Sequence, residues 1–237
     1  MSPRLHRPAA SRGRTRTDWL DSRHAFSFGH YYDPQWLGFG PLRVLNEDRV
    51  APGAGFPPHS HANMEILTWV LSGTLAHRDN AGGSGSIRPG ELQRMSAGHG
   101  IEHSEFNAAS DAPVHFLQIW LQPDRSNTPP GYAQRAFAPE ALAGRWCLLA
   151  APCAMADAVG AIGLRQDARL YAARLIAGQA VEHAVAAGRR AWLQVARGEL
   201  ECGGLTLGAG DGLGVSGRDE LRIAAHGEAE VMLFDLP

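Results

Sequence analysis

The sequence predicts an all-β protein made of two similar halves. Three observations carry this. Short alternating apolar and polar runs dominate the chain and are broken at regular intervals by Gly, Pro, Asn and Asp, the pattern of strands joined by tight turns in sandwiches and barrels. Helical periodicity is scarce. A weak internal repeat relates TWVLSGTL (68–75) to LQVARGEL (193–200), and each is followed by a Gly-acid turn, PGE at 89–91 and AGD at 209–211.

Taken in order, PLRVLNEDRVAPGAGF (41–56) reads as a strand and then a turn. MEILTWVLSGTLAHRDNAGG (64–83) reads as two strands around a Ser-Gly turn, and VHFLQIWLQP (114–123) as an alternating strand that stops at Pro123. The polar, Pro-rich DRSNTPPGYAQRAF (124–137) reads as a connection between halves. The expected division is therefore 1–130 and 131–237. A short helix is expected in APEALAGRWCLLAAP (138–152). LYAARLIAGQAVEHAV, RRAWLQVARGELECGGLTLGAGDGLGV and AEVMLFDLP then return to strands.

Composition narrows the function classes. The 237 residues are 44% hydrophobic and 19% charged, as in a globular protein with substantial cores. No apolar run reaches membrane-span length. The first twenty residues lack the apolar stretch of a secretory signal. The three cysteines, Cys147, Cys153 and Cys202, form no CxxC pair, which fits a reducing cytoplasm. All 22 basic residues are Arg, so Schiff-base chemistry, which needs a Lys amine, is excluded. Five of them lie at 4, 7, 12, 14 and 16. With a net charge of −2 they read as a solvated terminal segment rather than a nucleic-acid arm.

The chemistry lies in FPPHSHANMEIL (56–67) and GIEHSEFN (100–107). His59 and His61 are two apart and share one face of a strand, and His103 and Glu105 repeat that spacing. If the two strands are neighbours, three imidazoles and a carboxylate converge as a metal site with open positions. Glu65 is a second candidate carboxylate, and spacing alone does not separate it from Glu105. At the repeat offset of about 125 residues, His59 and His61 fall on Ala184 and Ala186, with His183 one position out. The second half therefore reads as a copy without metal. His183 and His226 lack a convergent carboxylate and do not make a second site.

These motifs resemble a known family. Gly53, His59, His61, Glu65 and Gly73, followed by Pro89-Gly90, His103 and Asn107, resemble the two motifs of the cupin superfamily. The stretch WLDSRHAFSFGHYYDPQWLGFGPLRVLNED with SAGHGIEHSEFN resembles the pirin family, in particular its bacterial quercetinase-like branch. The resemblance implies a bicupin, two antiparallel β-barrels of double-stranded β-helix (jelly-roll) type, with metal in the N-terminal one. It favours Glu105 over Glu65, giving His59, His61, His103 and Glu105 as ligands. The implied cofactor is one divalent transition metal, Fe(II) first, with Ni, Co, Mn, Cu or Zn as alternatives.

The implied activity is dioxygen-dependent cleavage of quercetin or a related flavonol with release of carbon monoxide, with Glu105 as general base. The expected partners are a small aromatic substrate and dioxygen, with no membrane or nucleic acid, for a cytoplasmic monomer. Phe26 and Phe28, alternating in HAFSF, are expected to point into one substrate cavity. Met64, Phe106 and Trp120 are further wall candidates. His24, His30, His99 and His115 are candidate polar lining, with His99 also a candidate outer donor. A non-enzymatic metal-binding redox sensor that binds a protein partner is the alternative, and a Lewis-acid isomerase a third.

Overall fold

The computed structural model describes residues 4–237. In chain order its strands are β1 (Arg4–Arg7), β2 (Gly13–Arg16), β3 (Leu20–His24), β4 (Leu42–Val50), β5 (Gly55–His61), β6 (Glu65–Ser72), β7 (Leu75–Asp79), β8 (Ser84–Ile87), β9 (Glu91–Ser96), β10 (Ile101–Asn107), β11 (Val114–Leu121) and β12 (Gly131–Ala136). They continue with β13 (Cys147–Pro152), β14 (Ile162–Leu164), β15 (Arg169–Leu175), β16 (Ala180–Val185), β17 (Arg190–Arg197), β18 (Glu199–Cys202), β19 (Leu205–Gly208), β20 (Gly212–Ser216), β21 (Asp219–Ala225) and β22 (Ala229–Leu236). The helices α1 (Pro139–Leu142) and α2 (Cys153–Val159) are short; α1 lies where one was expected and α2 was not anticipated. The Ser72-Gly73 turn forms as read, with Gly73 at φ 79°, a conformation that favours glycine.

The chain divides into two units. One is Gly13–Ala136; the other joins Phe137–Pro237 to the segment ending at Arg12. In the first, a seven-stranded sheet runs β12-β9-β6-β11-β4-β3-β2 and a four-stranded sheet runs β5-β10-β7-β8. In the second, the orders are β1-β20-β17-β22-β15-β13-β14 and β16-β21-β18-β19. Eight strands of each unit follow the same path, β4 to β11 matching β15 to β22. The internal repeat is therefore a repeat of topology. Each unit is a jelly roll of two hydrogen-bonded sheets rather than one closed ring of strands.

Two segments cross the expected division at residue 130. Gly131–Ala136 was read as linker but pairs antiparallel with β9 in the first unit. The Arg-rich opening, expected to be solvated, pairs at Arg4–Arg7 with β20 in the second unit, while its Gly13–Arg16 part pairs with β3 in the first. Both lie at sheet edges, where Pro-flanked and polar sequences are tolerated and where they shield an otherwise bare ladder. Arg4 Nη1 donates to the Gly203 carbonyl at 2.8 Å, and the Ala9 amide donates to Asp211 Oδ1 at 2.6 Å.

The two interiors differ in chemistry. The second unit has an apolar core that includes Ala173, Leu193, Cys202, Ile223 and Leu233. In the first unit apolar clusters form around Val70 and Phe116 and around Ile66 and Met95. Polar groups take the matching interior places between them. Thr68 pairs across the ladder with Gln118 as Leu193 does with Leu233. His77 pairs with Glu105 as Cys202 does with Ile223. Asp48 pairs with Phe116 as Ala173 does with Val231. Burying polar groups costs free energy that apolar residues would supply. The second unit thus keeps the apolar packing that the first gives up to a site.

Truncating the apolar member tests this division. Leu233→Ala, at a fully buried position, is expected to lower unfolding free energy by about 2–5 kcal/mol in urea denaturation. Metal content of the folded variant should be unchanged.

Candidate metal centre

Strands β5 and β10 bring the histidines together. They pair antiparallel with His59 opposite His103 and His61 opposite Ile101. The ring centroids of His59, His61 and His103 are 4.5–5.0 Å apart. One potential ligand nitrogen from each lies within 4.8 Å of the others, and no other such group of three His, Cys, Asp or Glu occurs among the described residues.

A β-bulge shifts the ladder between His103 and Glu105, so Glu105 stands opposite Phe56. The matching strand β16 has no such bulge, and His183 lies opposite Leu221 as His59 lies opposite His103. By ladder position, then, His183 is the counterpart of His59, not one residue out of place. The extra residue of the bulge is what displaced the sequence alignment. The positions matching His61 and His103 hold Val185 and Leu221, so one histidine remains where the first unit has three.

Hydrogen bonding leaves lone pairs where a metal needs them. His59 Nδ1 donates to the Pro57 carbonyl at 2.8 Å, which leaves Nε2 as the acceptor nitrogen. His103 Nε2 is buried without a hydrogen-bond partner. Burial pushes the His61 pKa down to about 4 and that of His103 to about 3, with the neighbouring imidazoles adding to the effect. Both rings are therefore neutral at pH 7, the form that ligates. Three clustered imidazoles, His61 and His103 held neutral by burial, and an orphaned buried nitrogen fit a divalent transition metal.

Glu105 is outside the three-histidine group but lines a cavity together with His59 and His61. Gln118 Nε2 donates to its Oε2 at 2.8 Å, and Thr68 Oγ1 lies 3.5 Å from its Oε1 while donating to Gln118 Oε1 at 3.0 Å. Burial, and then the charge of Asp48, push the Glu105 pKa up to about 7. Burial likewise pushes Asp48, whose Oδ1 has no partner, up to about 7. Glu65 is buried on β6, in the other sheet, and does not line the cavity.

The cavity measures about 90 Å³, and its wall includes His24, Phe28, Phe56 and Trp120 beside His59, His61 and Glu105. Trp120 meets His61 edge-on at 4.9 Å and Phe28 at 5.4 Å. Its indole N–H is buried without a partner. Phe26 does not join Phe28 on this wall; it is buried in the core. Period-two alternation fails there because β3 ends at His24 and Phe28 makes only an isolated bridge to Tyr31. Phe106 is exposed and faces an outer groove with Ser104 and Arg78. Of the four candidate polar-lining histidines only His24 reaches the cavity, bonded to Asn46 and Thr15 at 2.8 Å each. His30 and His99 are exposed, and His115 bonds Glu47 at 2.9 Å. Asn46, Asp48 and Gln118 carry no motif in the sequence, although each alternates with buried apolar residues of its strand.

Residues 6–121 match the family described as Pirin, and residues 152–236 match the quercetinase C-terminal cupin domain. A protein named quercetin 2,3-dioxygenase from Escherichia coli is 42% identical over 98% of this chain and 97% of its own length. A pirin-like protein from Caulobacter vibrioides is 38% identical over 92% of each. The crystal structure of YhhW from Escherichia coli superimposes with a TM-score of 0.94 at 40% identity, covering 99% of this chain and 98% of that one. The nickel(II) complex of the bacterial pirin YhhW gives 0.92 at 41% identity, covering 99% of each. With this identity along nearly its whole length, and with the histidine cluster inside the matched segment, the chain belongs to the pirin family of bicupins.

Proposed function

We propose that this protein is a metal-dependent dioxygenase that cleaves quercetin or a related flavonol with dioxygen. His59, His61, His103 and Glu105 hold the metal in this reading. The observation that carries it is the convergence of three imidazoles, two of which line a cavity together with the buried carboxylate of Glu105. The activity named for the Escherichia coli relative supports the substrate class. The nickel complex of the related pirin supports a divalent metal. Fe(II) is the first choice of ion, with Ni, Co, Mn, Cu and Zn as alternatives, because imidazole and carboxylate donors do not discriminate strongly among them.

When bound, the metal supplies Lewis-acid polarisation of a substrate enol oxygen. The chain supplies the rest. Glu105 lines the cavity and is the carboxylate placed to take the enol proton. Gln118 and Thr68 hold its carboxylate in place. Phe28, Phe56 and Trp120 offer aromatic surface to a flat ring, and the Trp120 N–H is free to donate to a substrate oxygen. The cavity is smaller than the roughly 300–1,000 Å³ of sites that enclose a drug-sized ligand. The reacting edge therefore enters, and the remaining rings lie at the half-exposed side near His59. All of these residues come from one unit, so a monomer suffices. The chain has no helix, among the described residues, long and apolar enough to cross a membrane, and we place its action in the cytoplasm.

Metal content tests the ligand set. Wild type should retain one metal per chain by elemental analysis, and the His59→Ala, His61→Ala double variant nearly none. Glu105→Gln should weaken retention, because an amide oxygen is a poorer ligand than a carboxylate, whereas Glu65→Gln should leave it nearly intact. Loss with Glu65→Gln alone would move the carboxylate role to Glu65.

Oxygen uptake and carbon monoxide release with quercetin test the reaction. Metal-loaded wild type should be active, and chelated wild type and His103→Ala inactive. Inactivity on flavonols with each of Fe, Ni, Co, Mn and Cu would reject the dioxygenase reading in favour of a metal-binding redox sensor.

The buried carboxyls set a pH dependence in metal-free protein. Their pKa values are higher folded than unfolded, so the folded state binds more protons. The stability they contribute is full below about pH 4 and is lost as pH rises through about 7. Asp48→Asn should flatten that decline in urea denaturation of the metal-free protein.

A further inference from the structure

Strand β7 follows β10 in the small sheet and places His77 and Asp79 behind the histidine cluster. Asp79 lies opposite His103 in the ladder and His77 opposite Glu105. The two side chains are almost fully buried. His77 Nε2 lies 3.2 Å from Asp79 Oδ2, and His77 Nδ1 lies 3.4 Å from His103 Nδ1. The other carboxylate oxygen of Asp79, Oδ1, accepts the amides of Ala81 at 2.9 Å and Gly83 at 2.8 Å. A Cβ on Gly83 would collide with Oδ2. Tyr132 stacks on the His77 ring at 5.2 Å. The carboxylate and the imidazole are thus each held from several sides.

Proton positions follow from these contacts. An ionised carboxylate only accepts, so His77 must carry its proton on Nε2 to meet Asp79. His77 Nδ1 is then a lone pair and accepts the proton of His103 Nδ1. That leaves His103 Nε2 as a lone pair, and this is the buried nitrogen without a partner. The reverse arrangement would set a His77 lone pair against the Asp79 carboxylate in a buried place. We propose that Asp79 and His77 are positioning residues that fix His103 in the tautomer able to ligate through Nε2. The proposal rests on the reading of His103 as a metal ligand.

Asp79→Asn inverts the relay while keeping its shape. The Asn oxygen keeps the Ala81 and Gly83 amides, so its NH₂ donates to His77 Nε2. His77 must then donate from Nδ1, and His103 is left with its proton on Nε2. Long-range proton–nitrogen NMR of metal-free protein reads the tautomer directly. His103 should be Nδ1–H in wild type and Nε2–H in Asp79→Asn. Nickel(II) affinity by calorimetry should fall about 10–100-fold in Asp79→Asn. It should fall less in His77→Phe, which leaves the His103 tautomer unconstrained. A packing role alone predicts the opposite order, with the isosteric Asp79→Asn harmless. A wild-type His103 protonated on Nε2, or Nδ1–H retained in Asp79→Asn with affinity within twofold of wild type, overturns the proposal. The tautomer readout uses metal-free protein, so it decides the relay whether or not nickel binds through His103.

Discussion

Everything at the candidate site depends on the ladder between Gly55–His61 and Ile101–Asn107. Antiparallel pairing sets His59 against His103, and alternation puts His61 on the same face. A slip of one residue would turn all these imidazoles to the opposite face. The register is pinned by more than these two strands. Leu75–Asp79 pairs with the other edge of Ile101–Asn107 over five residues. Asn107 closes the end of the strand, its Nδ2 donating to the carbonyls of Val50 at 3.0 Å and Ala112 at 2.9 Å. The histidines thus meet through backbone pairing rather than through attraction to one another. Neutral, partly desolvated rings with an unpaired buried nitrogen are a cost to the metal-free fold.

The second unit shows what that cost replaces. The same strand path encloses a continuous apolar core, with Leu193, Leu233, Ile223 and Cys202 at the places of Thr68, Gln118, Glu105 and His77. One architecture therefore serves two ends in one chain, and the side chains on the inward faces of matched strands decide which.

Much of this was legible in the residues. The alternating runs, the Ser72-Gly73 turn and the paired His spacings gave the strand class and the histidine cluster, because period two holds within a regular strand. What was missed lies where that period fails or where edges matter. The bulge opposite Glu105 shifted the alignment of His183 by one. The end of β3 at His24 sent Phe26 into the core. The segments at Arg4–Arg7 and Gly131–Ala136 are polar because they are edge strands, and polarity alone suits a solvated arm or a linker equally well. His77 and Asp79 carried a usable signal: they share a face with buried Leu75 by the same spacing that marks His59 and His61. Polar residues alternating with a core Leu on an inner strand need partners.

The central claim is that one divalent ion is held by His59, His61, His103 and Glu105. Anomalous diffraction at the nickel edge from a nickel-soaked crystal tests it most directly. The account predicts a single peak in the first unit, bounded by Nε2 of His59 and of His103, the His61 ring and a Glu105 oxygen. A peak bounded by Glu65 with Glu105 still on Gln118, or a peak in the second unit, would contradict it.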